Sequence, residues 1–335
     1  MFKRSIIKQL EQWKDKPDRK PLMLLGARQV GKTFVQKQFK DGDIYWPISI
    51  MKVPVILLNY NSSADCCKCV TDLKQQEGVE LEIIIVDNCS RKEDALAVEQ
   101  LAAEQGCTFI AAAENRGYNA GNNIGLRYAA GKGYSYALIA NPDMEFPQRD
   151  FVRRLNETMQ KSSDIVACGS DIVTKEGIHQ NPKKCGDNGW KNSFKWLSDI
   201  FKKQGETNIP GWIANPQISA YCNGLNGCCL MVRLDYLKEI GFFDERVFLY
   251  GEETIFARQV ELSGEKMYYE ASVQAVHNHQ KKKEPASAFC LRNWKKSQRH
   301  YICEYSHYPF YGKWIALLSL HLYFGLLTLK NKIKR

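Results

Sequence analysis

Short apolar runs alternate with amphipathic stretches along the chain from about residue 52 to residue 143. Four runs have the length and composition of buried strands: residues 53–58, 81–86, 107–112 and 134–140. Residues 64–76 and 93–105 carry apolar side chains at helical spacing, and Gly106 follows the second stretch as a helix-ending glycine. The alternation predicts an α/β fold with a doubly wound, mostly parallel sheet.

Polar residues follow the four predicted strands: Asn59, Asp87, Asn115 and Asp143. Because the carboxyl ends of parallel strands meet at one edge of a sheet, we expect these side chains to form one polar crevice there. Asp143 comes directly after Pro142, which has no backbone N–H and ends the strand. A carboxylate at such an exit suits a hard divalent cation that also holds phosphate oxygens. The alternative is an ordinary turn aspartate after proline.

A second candidate site precedes these strands. Residues 26–33 read GARQVGKT, a full G-x-x-x-x-G-K-T phosphate loop that contains Gly26, Gly31, Lys32 and Thr33. In such a loop the backbone N–H groups hold phosphates, Lys32 reaches the terminal phosphate and Thr33 binds Mg²⁺. About the first 45 residues resemble the start of bacterial AAA-type ATPases.

The α/β pattern starts afresh at Met51, and a segment of about 50 residues cannot bury a core of its own. We therefore interpret residues 1–50 as a truncated P-loop ATPase-like fragment and residues 51–280 as a separate α/β domain. Residues 281–335 form a basic and apolar C-terminal tail with a helical pattern. A P-loop enzyme needs a later strand that ends in a carboxylate for Mg²⁺, and Asp87 is the candidate for that role.

Five ordered motifs in residues 52–280 resemble those of family-2 glycosyltransferases, notably the rhamnosyltransferase-like group. The motifs read LLNYNS, VDNCS, ENRGYNAGNNIG, ANPD and IGFFDERVFLYGEETIFARQ. The resemblance implies a GT-A nucleotide-diphosphosugar transferase fold, which is Rossmann-like with a mostly parallel sheet. It also implies inverting sugar transfer and a divalent metal, Mg²⁺ or Mn²⁺.

The resemblance implies roles for individual residues as well. Asp87 would bind the nucleotide base, and residues 115–125 would line the nucleotide-sugar. Asp143 would hold the metal on the diphosphate. His277 falls at the position of the family's histidine and would be a second metal ligand, although a structural histidine is the alternative. The predicted substrate-binding residues are Asn59, Asp87, Asn115, Gly117 and Asn123.

Two adjacent carboxylates, Glu252 and Glu253, begin a predicted helix. Inverting transfer needs a base that takes the proton of the acceptor hydroxyl, and neighbours at a helix start point in different directions. One carboxylate can therefore face the site while the other caps or pairs. The family usually has Glu-Asp here with the aspartate as base, so that Glu253 takes this role with a longer reach. A charged first helical turn is the alternative.

The net charge of +10 is concentrated at the chain ends. Residues 281–335 hold 12 Lys and Arg against 2 Asp and Glu, and residues 1–50 hold 11 against 5, so the centre is mildly acidic. This distribution argues against a nucleic-acid-binding core. Residues 314–329 carry no charge, yet about 20 residues are needed to span a bilayer. They predict an interfacial or re-entrant helix on an anionic membrane, with a buried C-terminal helix as the alternative.

The cysteines indicate a reducing compartment. The 12 cysteines are scattered, and no secretory signal precedes them. Cys66 and Cys69 form a CxxC on a predicted helix start, but no partners for a zinc or redox site accompany them, so we expect them to pack in the core.

Together these features predict a cytoplasmic enzyme, peripheral on the inner face of the cell membrane. It would transfer a sugar from a nucleotide-diphosphosugar to a glycan or polyprenyl-linked acceptor in cell-surface polysaccharide biosynthesis. One alternative is a P-loop NTPase that uses Lys32 and Thr33, with Asp87 as the Mg²⁺-binding carboxylate. Another is a sugar-binding module without catalysis, which a large separation of Glu253 from Asp143 would favour.

We predict that the phosphate loop is dispensable for sugar transfer, because its best candidate Mg²⁺ carboxylate belongs to the second domain. Lys32→Ala should change neither the transfer rate nor the affinity for the sugar donor, and a protein that begins at Met51 should still transfer sugar. Steady-state kinetics and an ATPase assay check this. Robust ATPase activity that is lost in Lys32→Ala would establish a second activity instead.

Overall fold

The structure is a computed structural model that describes residues 52–183, 185, 189–197, 216–278 and 287–333, with side chains up to residue 330. These residues all belong to one compact unit, Met51–Arg335. The phosphate loop, with Gly26, Gly31, Lys32 and Thr33, lies outside the described residues, and the prediction about it stays a prediction. So does the division into residues 1–50, 51–280 and 281–335.

The first part of the described chain alternates strands and helices as the sequence predicts. Its elements are β1 (Lys52–Asn59), α1 (Ser63–Lys74), β2 (Glu80–Asp87), α2 (Lys92–Gln105), β3 (Thr108–Ala111), α3 (Tyr118–Gly131) and β4 (Tyr136–Ala140). The four strands pair in parallel in the order β3-β2-β1-β4. Gly106 ends α2 in the left-handed conformation with φ 61°, as its position in the sequence predicts.

The second part of the chain completes a mixed sheet. It contains β5 (Met144–Glu145), α4 (Phe151–Met159), β6 (Ile165–Thr174), β7 (Ala220–Cys222), β8 (Cys229–Arg233), α5 (Leu234–Glu239), α6 (Glu252–Ser263) and β9 (Lys266–His277). The sheet continues from β4 through β8, β6 and β9 to β5, and β7 also pairs with β9. Strand β8 is antiparallel to both β4 and β6, so that the parallel arrangement predicted from the N-terminal pattern ends at β4.

The central strands are buried on both faces. In β1 the side chains of Val55 and Leu57 belong to one apolar cluster, and those of Ile56 and Leu58 belong to another. Helices α1, α2 and α4 contribute to the first cluster, and α3, α5 and α6 contribute to the second. Burial on both faces explains why these strands read as continuous apolar runs rather than as alternating ones.

The cysteines and the C-terminus agree with the sequence-based expectations. All 12 cysteines are free thiols, and Cys66 and Cys69 of α1 are buried in the core as predicted. Burial raises the pKa of the Cys66 thiol to about 12, which makes it unreactive near neutral pH. The tail is helical: α7 (Ala288–His300) continues into a π-helical turn (Tyr301–Tyr305), and α8 (Phe310–Ile333) follows.

Helix α3 packs closely on β1 because two of its glycines face the strand. A Cβ atom added at Gly125 would lie 2.6 Å from Cγ2 of Ile56, and one at Gly121 would lie 2.5 Å from Cδ1 of Leu58. Such distances require the neighbouring atoms to move. The two glycines therefore set the depth at which α3 sits against β1, and with it the position of the helix N-terminus at the sheet edge.

We predict opposite effects of Gly→Ala at two positions of α3. Gly125→Ala should lower the free energy of unfolding by about 1–2 kcal/mol, since overpacking costs more than the gain in helix propensity. At Gly131 an added Cβ meets nothing within 4 Å, and Gly131→Ala should be neutral or stabilising by up to about 1 kcal/mol. Urea unfolding of both variants checks this. Equal effects would contradict close packing of α3.

Candidate active site at the carboxyl edge of the sheet

A cleft of about 350 Å³ opens where the parallel strands end. Its wall includes residues from the loops after β1, β2, β3 and β4, together with Phe248, Leu249 and Phe289. Residues on the four loops that line it are Tyr60, Ser62, Asn88, Asn115, Gly117, Asn141, Pro142 and Asp143. The strand-end residues thus lie in and below one crevice, as the sequence predicts.

Asn59 and Asp87 form the hydrogen-bonded floor beneath this cleft. Both are buried, and Nδ2 of Asn59 donates to Oδ1 of Asp87 and to Oδ1 of Asp94 at 2.8 Å each. The other carboxylate oxygen of Asp87 accepts from the backbone N–H of Ser90. These bonds hold the loops after β1 and β2 together. Asp94, on the first turn of α2, has a role here that the sequence analysis missed.

Asn115 and Gly117 shape the loop that enters α3. Oδ1 of Asn115 accepts from Nδ2 of Asn88 at 3.1 Å and from the backbone N–H of Gly117 at 2.9 Å. Gly117 has φ 101°, and an added Cβ would lie 2.3 Å from the carbonyl oxygen of Phe248. A side chain is therefore excluded at residue 117 by both its conformation and its neighbour. Both residues line the cleft. Their role in donor binding stays a prediction.

Asn123 lies in the interior rather than among the residues that line the cleft. It is fully buried, and Nδ2 donates to the carbonyl of Phe243 at 2.9 Å and to Oε1 of Glu245 at 3.0 Å. Its Oδ1 accepts from the backbone N–H of Phe243. These bonds connect α3 to residues 243–245, the segment that leads towards α6. Asn123 therefore supports the position of α3.

Asp143 and His277 meet at the cleft because two strand ends pair. The short strand β5 follows Asp143 and pairs antiparallel with the end of β9, and the backbone N–H of Asn278 donates to the carbonyl of Asp143 at 2.9 Å. Nε2 of His277 lies 3.3 Å from Oδ2 of Asp143. Nδ1 of His277 lies 2.8 Å from Oε1 of Gln180, which can only accept, so that Nδ1 carries the proton.

The carboxylate of Glu253, on the first turn of α6, is held from two sides. Oε1 accepts from the backbone N–H of Gly227 at 2.8 Å, and Oε2 pairs with Nζ of Lys183. The loop that carries Lys183 is fixed in turn, because the Lys183 N–H donates to the carbonyl of Gly224. Lys183 was not singled out from the sequence, where no motif surrounds it.

The carboxyl group of Glu252 has different surroundings from that of Glu253. Within the part of the chain that the structure describes, Oε2 of Glu252 is buried without a hydrogen-bond partner. Burial, with an added contribution from the charge of Glu253, raises the pKa of Glu252 to about 7. As the sequence predicts for adjacent residues at a helix start, the two carboxylates have different surroundings.

Tyr118 connects the base candidate to the metal candidate. Its hydroxyl lies 2.8 Å from the carbonyl oxygen of Gly227 and 3.0 Å from Oδ1 of Asn141. Gly227 contacts Glu253 through its N–H, and Asn141 lies two residues before Asp143. Glu253 and Asp143 therefore lie around one junction, which argues against a binding module with a distant carboxylate. Tyr118 stands within the ENRGYNAG motif, although the sequence analysis gave it no role.

Comparison with known proteins identifies the domain. Residues 55–221 match the family model for glycosyl transferase family 2. The low-salt glycan biosynthesis hexosyltransferase Agl10 of Haloferax volcanii is 27% identical over 225 residues, which are 67% of this chain and 66% of Agl10. The succinoglycan biosynthesis protein ExoO of Rhizobium meliloti is 28% identical over 135 residues, which are 39% of this chain and 37% of ExoO. The chain thus matches less than two thirds of the length of either relative.

The fold has a counterpart among solved structures. The mannosyltransferase PcManGT of Pyrobaculum calidifontis, solved with GDP-Man and Mn²⁺, superposes with a TM-score of 0.52. It is 15% identical, and the match covers 98% of this chain and 80% of PcManGT. This similarity shows the GT-A type of fold. The domain that contains residues 55–221 belongs to glycosyltransferase family 2, as the sequence motifs predict.

We predict that Glu252 makes stability depend on pH. In the folded protein the Glu252 carboxyl keeps its proton up to about pH 7, whereas in the unfolded chain it loses the proton near pH 4.5. The free energy of unfolding should therefore fall as pH rises between these two values. Relative to Glu252→Gln, the free energy of unfolding of the wild type should fall by about 3 kcal/mol over this range. Urea unfolding at about pH 5 and about pH 8 measures this difference. A difference that stays constant with pH would contradict the burial of an ionisable Glu252.

Proposed function

We propose that the protein is an inverting glycosyltransferase. It moves a sugar from a nucleotide-diphosphosugar to a glycan or polyprenyl-linked acceptor in cell-surface polysaccharide biosynthesis. The observation that carries the proposal is the arrangement around the Tyr118 junction, with Asp143 and His277 on one side and Glu253 on the other. Such a site has one place for a metal-bound diphosphate and one for a base.

The donor set at Asp143 and His277 fits a divalent cation, Mg²⁺ or Mn²⁺. Because Nδ1 of His277 is turned to Oε1 of Gln180, Nε2 is the ring nitrogen that faces Oδ2 of Asp143. The two atoms lie 3.3 Å apart, so that one cation could contact both. Within the described residues no group of three His, Cys, Asp or Glu side chains could hold a metal. Water and phosphate oxygens would therefore supply the remaining ligands.

A cation bound there would neutralise charge that develops on the leaving diphosphate. The protein's own contribution is to place the donor against it. Asn115 and Gly117 bring the loop before α3 to the cleft wall, and no side chain at residue 117 obstructs the approach. Asn59 and Asp87 hold the strand-end loops from below. Because Asp87 is buried and is not among the residues that line the cleft, its role in this proposal is to support those loops rather than to contact the nucleotide base.

Glu253 is the proposed general base. Its two oxygens are oriented by the Gly227 N–H and by Lys183, and each oxygen keeps a second lone pair for an acceptor hydroxyl. Glu252 has a different role in this proposal, because its Oε2 is buried without a hydrogen-bond partner among the described residues. A carboxyl that stays partly protonated near neutral pH adds little negative charge next to the base.

The P-loop NTPase alternative has less support. Its Mg²⁺ carboxylate would be Asp87, which is 3% exposed and already bonded to Asn59 and Ser90. A thermal-shift panel of nucleotide-sugars with and without Mn²⁺ tests the proposed function directly. Stabilisation by a nucleotide-sugar that requires Mn²⁺ is the expected result. Stabilisation by ATP alone would favour the alternative.

We predict that Asp143→Asn abolishes the Mn²⁺-dependent part of donor binding and lowers transfer by at least about 10²-fold, because the cation loses its carboxylate. Asp65→Asn is the matched control, since Asp65 also lines the cleft. The control should keep donor binding and turnover. Thermal shifts and initial rates measure both effects, and normal turnover in Asp143→Asn would exclude it as a metal ligand.

We predict that Glu253→Gln leaves the donor dissociation constant unchanged and lowers kcat by about 10²-fold or more, because the variant cannot accept the acceptor's proton. Glu252→Gln should have a smaller effect. Donor titration and steady-state kinetics on both variants check this ranking. The opposite ranking would assign the base to Glu252.

A further inference from the structure

Helix α8 is held against the domain by one face. Ser319 is 2% exposed, and its Oγ accepts from Nε1 of Trp196 at 2.8 Å and donates to the carbonyl of Ser193. Phe324 is 4% exposed and packs edge-on against Trp294 of α7, with 5.1 Å between the two ring centroids. An added Cβ at Gly312 would lie 2.7 Å from Trp190. These contacts fix the rotation of α8 about its own axis.

The opposite face of α8 is an exposed apolar stripe. It consists of Phe310 (78% exposed), Trp314 (63%), Leu318 (59%), Leu322 (49%), Leu326 (46%) and Leu329 (55%). Their spacing of four or three residues places them on one side of a helix. At about 1.5 Å per residue the stripe is about 28 Å long. Exposed apolar residues are usually scattered singly, and a continuous stripe indicates an interaction surface.

We propose that this stripe is the surface with which the protein lies on an anionic membrane, with α8 in the plane of the lipid headgroups. The charge of the chain complements such a surface, because residues 281–335 carry a net charge of +10 and the stripe is followed by Lys330, Lys332, Lys334 and Arg335. Phe310 and Trp314 at its start are aromatic, which suits the boundary between headgroups and acyl chains.

The docked face of α8 argues for an in-plane helix rather than one that crosses the bilayer. Phe310–Lys330 is long and apolar enough to cross, with a mean hydropathy of 1.3. Crossing would expose every face to lipid, however, and would break the two hydrogen bonds of Ser319 and the packing of Phe324 on Trp294. A helix that stays docked presents only the stripe to the membrane.

The stripe and the cleft are connected through α7. Phe289 at the start of α7 lines the cleft, and Trp294, five residues later in the same helix, packs on Phe324 of α8. Membrane docking would therefore keep the cleft close to the lipid surface, where a lipid-linked acceptor resides. This consequence rests on the proposed function, whereas the docking itself does not.

Flotation of the full-length protein with vesicles tests the proposal. The vesicles are phosphatidylcholine alone or with about 30% phosphatidylglycerol. Wild type should bind the anionic vesicles and release from them as salt rises, because the basic residues contribute to binding. The double variant Leu318→Glu, Leu322→Glu should need at least tenfold more lipid for half-maximal binding. The matched control is Leu262→Glu, an equally exposed leucine on α6, which should bind like wild type.

Several outcomes would overturn the proposal. Wild type that stays unbound by anionic vesicles at low salt would do so, as would a double variant that binds as well as wild type. Binding that resists high salt and alkaline extraction would indicate a crossing helix. If wild type ignores vesicles but sediments as a dimer that the double variant converts to a monomer, the stripe joins two copies. None of these measurements needs a sugar donor, so failure here is distinct from failure of the proposed function.

Discussion

The burial of the central strands on both faces is the constraint on which the rest of this domain depends. Strands β1 and β4 have helices on either side, and their side chains from Val53 to Leu58 and from Tyr136 to Ala140 are buried. A strand in that position has no room for unpaired polar groups. Polar side chains are therefore confined to the strand ends, where Asn59 and Asp87 are the last residues of β1 and β2 and Asp143 follows β4. The same burial lets the glycines of α3 press that helix onto β1.

The turn at residues 226–228 joins the two halves of the candidate site. Gly227 donates its N–H to Glu253 and offers its carbonyl to Tyr118, while the carbonyl of Cys228 accepts from the N–H of Asn141. One short backbone segment thus contacts the start of α6, the start of α3 and the end of β4. Because backbone groups make these contacts, the geometry depends on the turn itself more than on its side chains. This rigidity suits a site in which base and leaving group must keep a fixed separation.

The C-terminal helices extend the domain rather than standing apart from it. Residues 190–197, which the sequence analysis left without a structural role, supply Trp190 and Trp196 as the platform for α8. Helix α7 contacts both the cleft and α8. The apolar stripe proposed to meet lipid and the cleft proposed to bind the donor are consequently built on one continuous packing arrangement.

The sequence by itself determined the elements and the sheet edge at which the candidate site lies. Apolar runs, helix-ending glycine and polar strand ends are local signals, and they placed Asn115, Gly117 and Asp143 at one crevice and Glu252 and Glu253 at a helix start. Only the tertiary structure decided which of these residues meet. The pairing of β5 with β9 brings His277 to Asp143, and a distant loop brings Lys183 to Glu253. The tertiary structure also buries Asn123 and Asp87, which sequence motifs alone place in the site. Such pairings arise from the packing of segments far apart in the chain, and no local periodicity encodes them.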